Sequence, residues 1–344
     1  MIKIMKKRTK FVFIAIFFVL LAAAFICGEI LKEKFISKDF ASELKSVPLR
    51  VGGFNFIRPV LLCDTSSEKE FPELQALKNK LTDLINKEER AKHIDSVSVY
   101  FQDFQTGGRI DINKDEKFRA ASIGKVPIMI SYFRIAESNP NILSRTVKYI
   151  EEPDFNAGQE IPPKEFAKIG ETYTVEELIE KMIKYSDNNS LYSLIKLINT
   201  SILISLYQDL QVPFPVNSVH PENLDFITTK DVSYFFRVLY NSTYLISNLS
   251  EKALQLLSET DYDNGLVAGV PEGTKVSHKY GLDSLEYMGT IKERELHDCG
   301  IIYHPKDHYF LCVMTKSSSG ISDIENTIKN ISALVYQEVS RYSQ

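Results

Sequence analysis

Three short segments carry residue types that can do chemistry together. Ser122-Ile123-Gly124-Lys125 sets a hydroxyl and an amine three residues apart. On a helix, that spacing places both on one face. A buried lysine gives up its proton readily, because desolvation disfavours the ammonium, and it can then take a proton from a hydroxyl. A hydroxyl at a helix amino end also sees the positive end of the dipole, which helps hold a developing oxyanion. Equally, the same residues fit an ordinary helix start with an exposed lysine. Ser186-Asp187-Asn188 reads either as a cap and turn or as a hydroxyl and an amide turned into a cleft. His278-Lys279-Tyr280-Gly281 reads either as a protected edge strand or as a cation near a nucleophile, with a glycine that lets substrate approach the backbone.

The elements that must position these groups follow from periodicity. Residues 71–92 predict an amphipathic helix, with Leu74, Leu77, Leu81, Leu84 and Ile85 on one face. Ser96 to Phe101 alternates, Thr106-Gly107-Gly108 turns, and Arg109 to Ile112 alternates again, which predicts a hairpin. The middle is helical. Thr174 and Glu177 form a capping box, a second helix follows from about Ser190, Thr228 and Asp231 cap a third, and Ser250 opens a fourth. The chain then returns to strands at 274–279, at Cys299–Tyr303 and at Tyr309–Met314, the last two joined through Pro305-Lys306-Asp307. Ser322 with Glu325 predicts a capping box opening a final helix. The expected class is α+β: one antiparallel sheet closed by both chain ends and flanked by terminal helices, with an all-helical lobe at about 122–262.

Composition narrows the function classes. The chain has 344 residues, 44% of them apolar and 25% charged, which is globular composition and excludes a largely disordered protein. Residues 1–28 carry five basic side chains and no acid, which leaves 36 basic against 45 acidic beyond residue 28. An acidic body argues against nucleic acid as a partner. Phe11 to Cys27 is an unbroken apolar run of 17 residues behind that basic flank. It predicts an uncleaved membrane anchor in preference to a cleaved signal peptide, with the body outside the cytoplasm either way, followed by a stalk or lead-in at 29–69 and a folded domain at 70–344. Cys299 and Cys312 lie on strands around one turn, and we read them as buried small apolar residues before a bridge. No Cys/His spacing resembles a zinc site. A monomer is expected.

Taken together and in this order, the three segments match S-x-x-K, S-D-N and K-T-G of class A β-lactamases and penicillin-binding proteins. Over roughly residues 70–340 the chain resembles that serine acyl-enzyme superfamily. The resemblance implies Ser122 as the acylated nucleophile and Lys125 as the base that takes its proton. Ser186 would relay a proton to the leaving nitrogen, and Asn188 would bond the substrate amide. Lys279 would supply a positive charge for a substrate carboxylate, and the backbone N–H groups of Ser122 and Leu282 would form the oxyanion hole. Gly281 would leave room for substrate. No metal or organic cofactor is implied. The partner is a β-lactam or a peptidoglycan peptide, besides the membrane itself.

Two departures stand out. Tyr280 replaces the small hydroxyl of the family's Thr or Ser, which puts ordinary β-lactam binding in question. Class A enzymes also use a loop glutamate to activate the deacylating water. Glu222 is the only glutamate between Val212 and Thr229, and the usual Glu-x-x-x-Asn pattern is absent there. Without such a base the acyl-enzyme persists, since losing one costs about 10²–10⁴ in rate. Three functions follow: a β-lactamase-type hydrolase, a D,D-peptidase of the penicillin-binding kind, or a non-catalytic wall-binding relative.

Overall fold

The computed structural model describes residues 49–62, 74–150, 154–214 and 226–342. The predicted anchor, Cys27, Cys63 and Glu222 lie outside these residues. Among the described residues, no single helix is long and apolar enough to cross a membrane.

A short antiparallel pair, β1 (Leu49–Arg50) and β2 (Val60–Leu62), precedes helix α1 (Gln75–Arg90). Then come β3 (Ser96–Asp103), β4 (Arg109–Ile112) and β5 (Phe118–Arg119). The helical lobe holds α2 (Lys125–Ser138), α3 (Asn141–Ser144), α4 (Val175–Lys184), α5 (Asn188–Leu197), α6 (Thr200–Asp209), α7 (Thr229–Tyr240) and α8 (Ser247–Ser258). Within it, β6 (Thr146–Lys148) pairs with β7 (Thr172–Thr174), and β8 (Phe226–Ile227) pairs back to β5. The chain closes with β9 (Val276–Tyr287), β10 (Thr290–Ile302), β11 (Tyr309–Lys316) and α9 (Ile321–Tyr342).

Five strands form one antiparallel sheet in the order β4-β3-β11-β10-β9. Both faces are covered, and strand alternation divides the core in two. Val97, Val99 and Phe101 of β3 and Leu311 and Val313 of β11 face α1 and α9, where they meet Leu77, Leu81, Ile85, Ile328 and Val335. Tyr100, Phe310, Cys312 and Met314 face the helical lobe and pack with Met129, Phe133, Phe235 and Phe236. The α+β class with terminal helices and a helical lobe is therefore the observed one.

Several local expectations need correction. Cys299 and Cys312 are disulfide-bonded, because the β10–β11 register sets them directly opposite each other. Helix α8 begins at Ser247, so Ser250 lies inside it, buried, with its hydroxyl on the Leu245 carbonyl. Helix α9 begins at Ile321, which places Ser322 and Glu325 beyond its start. The Glu325 carboxylate is taken by Tyr262 and Asn264 instead of by a backbone cap. Part of the expected lead-in belongs to the domain, since Val47–Gln344 is one compact unit. Ile57 is fully buried, and Glu251 accepts from the amides of Asn55, Phe56 and Ile57.

Candidate active site

The Ser122 hydroxyl sits on a 3-10 turn, Ala121–Gly124, that runs straight into α2. Ala121 has φ 45°, a left-handed conformation that costs a non-glycine residue roughly 1–3 kcal/mol. The turn is held from both sides. Behind it, the Arg119 amide donates to the buried Glu295 carboxylate at 2.7 Å, which pins β5 to the sheet. In front, Gly281 of β9 packs so closely that a Cβ there would lie 2.8 Å from the Ser122 nitrogen. Only glycine permits that approach.

Ser186 lies between α4 and α5 and is likewise left-handed, at φ 59°. Asp187 fixes this corner. It caps α5 by accepting from the Asn189 and Ser190 amides, and it also accepts from the Asn156 side chain at 2.7 Å and the Ala167 amide at 2.9 Å. The fully buried carboxylate thus ties the 154–170 loop to the helix, and Ser186 is left pointing at Ser122.

The hydrogen bonds run in a chain. Ser186 Oγ donates to Ser122 Oγ at 2.8 Å. Lys125 Nζ donates to the Ser186 carbonyl at 2.5 Å, to Ser186 Oγ at 3.1 Å and to Asn188 Oδ1 at 2.8 Å. The lysine therefore connects to Ser122 through the Ser186 hydroxyl. Lys125 is 1% exposed, and burial pulls its pKa down to about 7, against the opposing pull of Asp187. Near neutral pH, part of the population has a free amine that can receive a proton.

Lys279 is fully buried. Its Nζ donates to the Tyr280 carbonyl at 3.0 Å and sits 4.2 Å over the centre of the Tyr280 ring. Burial first, and then the charge of Lys125, holds its pKa well below the ordinary lysine range. Tyr280 stacks on Tyr262 with ring centres 4.1 Å apart, and its phenol is pushed up to about 12 by burial, so it stays protonated. Beside Lys279, His278 Nδ1 and the buried Asp298 carboxylate are 2.7 Å apart, and Asp298 also accepts from the Leu266 amide. These contacts lock β9 to β10.

Ser122, Ser186, Asn188, Tyr280 and Leu282 line one cleft of about 320 Å³, with the 154–170 loop on its other side. Glu160 of that loop pairs with Arg294 at 2.9 Å and is bonded by the Ser284 hydroxyl, which spans the cleft to β9 and β10. Among the described residues, no group of three or more His, Cys, Asp or Glu side chains is arranged to hold a metal ion.

A sequence profile of the β-lactamase enzyme family matches residues 76–339. The chain belongs to that family. The fold agrees. A PBP-A variant, solved as an acyl-enzyme complex with penicillin G, superposes with a TM-score of 0.65 and 22% identity, over 78% of this chain and 97% of the other. A β-lactamase from Sphaerobacter thermophilus gives 0.64 at 20% identity, over 76% and 98%. A class A β-lactamase from Mycobacterium abscessus gives 0.62 at 21% identity, over 76% and 99%. No curated protein matches significantly in sequence.

Within this β-lactamase-family fold, the structure gathers Ser122, Lys125, Ser186, Asn188, Lys279, Tyr280, Gly281 and Leu282 around a single centre. Asn188 is more committed than its expected substrate role implies. Its oxygen takes Lys125, and its nitrogen donates to the Phe155 carbonyl at 3.1 Å. Sequence reading offered Asp187 as part of a cap and turn, which it is, but missed its hold on the 154–170 loop. It also missed Glu160 and Tyr262, whose contacts are with residues far along the chain and leave no local mark.

Proposed function

We propose that the protein is a serine hydrolase that opens a β-lactam or a related amide through an acyl-Ser122 intermediate. The observation that carries this reading is the unbroken path from Ser122 through Ser186 to a buried Lys125 whose pKa lies near neutrality. With Lys125 neutral the hydroxyl protons reverse, Ser122 donating to Ser186 and Ser186 to the amine; Ser122 then attacks the carbonyl while its proton passes to Ser186 Oγ and the proton of Ser186 passes to Lys125. The path runs in reverse when the leaving nitrogen takes a proton from Ser186. The Ser122 and Leu282 amides receive the oxyanion. The basic flank and apolar run at 11–27 support anchoring in the cell membrane with this domain on the outer side.

The test is intact-mass spectrometry after exposure to a panel of β-lactams and uncharged activated esters. An adduct confined to Ser122 and lost in Ser122→Ala supports the proposal. No adduct from any member of the panel removes it. A peptidase of the penicillin-binding kind is the second reading, favoured by the similarity to PBP-A. Slow release of the adduct supports the peptidase, and fast release supports the hydrolase.

A further inference from the structure

The charges around the cleft are arranged in an unexpected way. Among the described residues its lining includes three carboxylates, Glu160, Asp283 and Glu286, and neither lysine nor arginine. Arg294 pairs with Glu160, and Arg119 pairs with Asp283 at 3.1 Å, but Arg119 is shared with Glu293 and Glu295 as well. Four carboxylates therefore surround two guanidiniums, and Glu286 adds a fifth to the rim. Two lysines lie beneath, and neither is open to an anion: Lys125 is buried and held by Ser186 and Asn188, and Lys279 is fully buried, its amine engaged by the Tyr280 carbonyl and covered by the Tyr280 ring. Tyr280 is held in place by stacking on Tyr262.

We propose that this cleft selects acyl donors without a carboxylate, neutral or positively charged, and that Tyr280 together with the acidic rim makes the selection. A carboxylate entering beside Ser122 meets like charge at the mouth and an aromatic ring where it needs a cation. In a partly desolvated cleft, such like-charge approach costs on the order of 1–2 kcal/mol, or about tenfold in affinity. A neutral ester or amide meets neither obstacle, and an amine on the substrate gains from the rim.

This inference rests on the acyl-serine reading but is tested apart from it. Benzylpenicillin and its methyl ester differ in charge at one carboxyl group. Their binding is measured by calorimetry on the full chain carrying Ser122→Ala, which keeps the cleft and cannot be acylated. The ester is expected to bind about tenfold more tightly than the acid. Raising the salt concentration should strengthen binding of the acid by screening the rim and leave the ester unchanged. Tyr280→Thr in the same background uncovers Lys279 and should narrow or invert the ratio. If that variant does not fold, the salt dependence with Tyr280 in place still decides. Equal or tighter binding of the acid, or no binding of the ester, overturns the proposal. If the ester is preferred here yet Ser122 is never acylated in the unmodified chain, the acyl-serine reading fails and the selectivity stands.

Discussion

Lys125 links rate to pH. As the base of the proposed reaction it must be neutral, and burial lowers its pKa to about 7. Acylation of Ser122 is therefore expected to rise with pH through about 7 and then level off, in stopped-flow measurements with an uncharged ester. Lys125→Met should lower that rate by about 10²–10⁴ and erase the pH step. The same burial makes a stability prediction. The folded-state pKa is depressed below the unfolded value, so between about 7 and the ordinary lysine value the unfolded chain binds more protons. Stability must then rise with pH across that window. Urea titrations should show the wild-type chain gaining on Lys125→Met as pH increases above 7. No gain would mean that Lys125 is hydrated in the folded protein. The segments that carry the chemistry were legible because each is local: a hydroxyl, an amide or an amine at a fixed spacing. What Tyr280 does was not legible, since its partners are Lys279 next to it and Tyr262, which is brought in by the fold.

Strand β9 and the Ser122 turn depend on each other's shape. Gly281→Ala would place a methyl group 2.8 Å from the Ser122 nitrogen, against backbone that cannot give way without moving the nucleophile. The expected result is a loss of at least about tenfold in acylation with roughly 1–3 kcal/mol of destabilisation, measured by adduct formation and by urea midpoint. The 154–170 loop has its most deeply buried support in Asp187, besides the ties of Asn188 and Glu160. Asp187→Ala removes five accepted hydrogen bonds at a buried site and should cost about 3 kcal/mol or more, with proteolytic cuts appearing in 154–170. These elements also show where local signals succeed and fail. The Thr174 and Thr228 capping boxes form as expected, because both partners lie within one turn of helix. The Ser322/Glu325 pattern was just as good locally, yet the buried Tyr262 hydroxyl competes for the same carboxylate. The length of β9 past Gly281 was hidden because Leu282-Asp283-Ser284 lies at the cleft, where cleft-lining polar groups replace a clean alternation.

Across the domain, the sheet separates two cores, and the Cys299–Cys312 disulfide joins its neighbouring central strands on the side of the helical lobe. Closing a loop of 13 residues is worth about 3 kcal/mol in the chain-entropy view. Reduction should therefore lower the urea midpoint measurably, and an unchanged midpoint would mean that packing alone holds the pair together. A disulfide in this position suits an oxidising compartment, in keeping with the proposed outward-facing domain. The pairing itself was beyond the sequence, because it depends on register across the Pro305–Asp307 turn and not on the spacing of the cysteines.

The contact between Gly281 and the Ser122 amide has a temporal side. A ribosome makes position 122 well before position 282, and the hairpin that carries Leu282 can only add to the sheet once β11 is available beside β10. A chain still emerging thus presents a hydroxyl with no opposing strand and no second amide for the developing negative charge. In the proposed reaction, competence for chemistry arrives last, with the closing strands, and a half-finished or truncated copy is expected to be inert toward esters and amides around it.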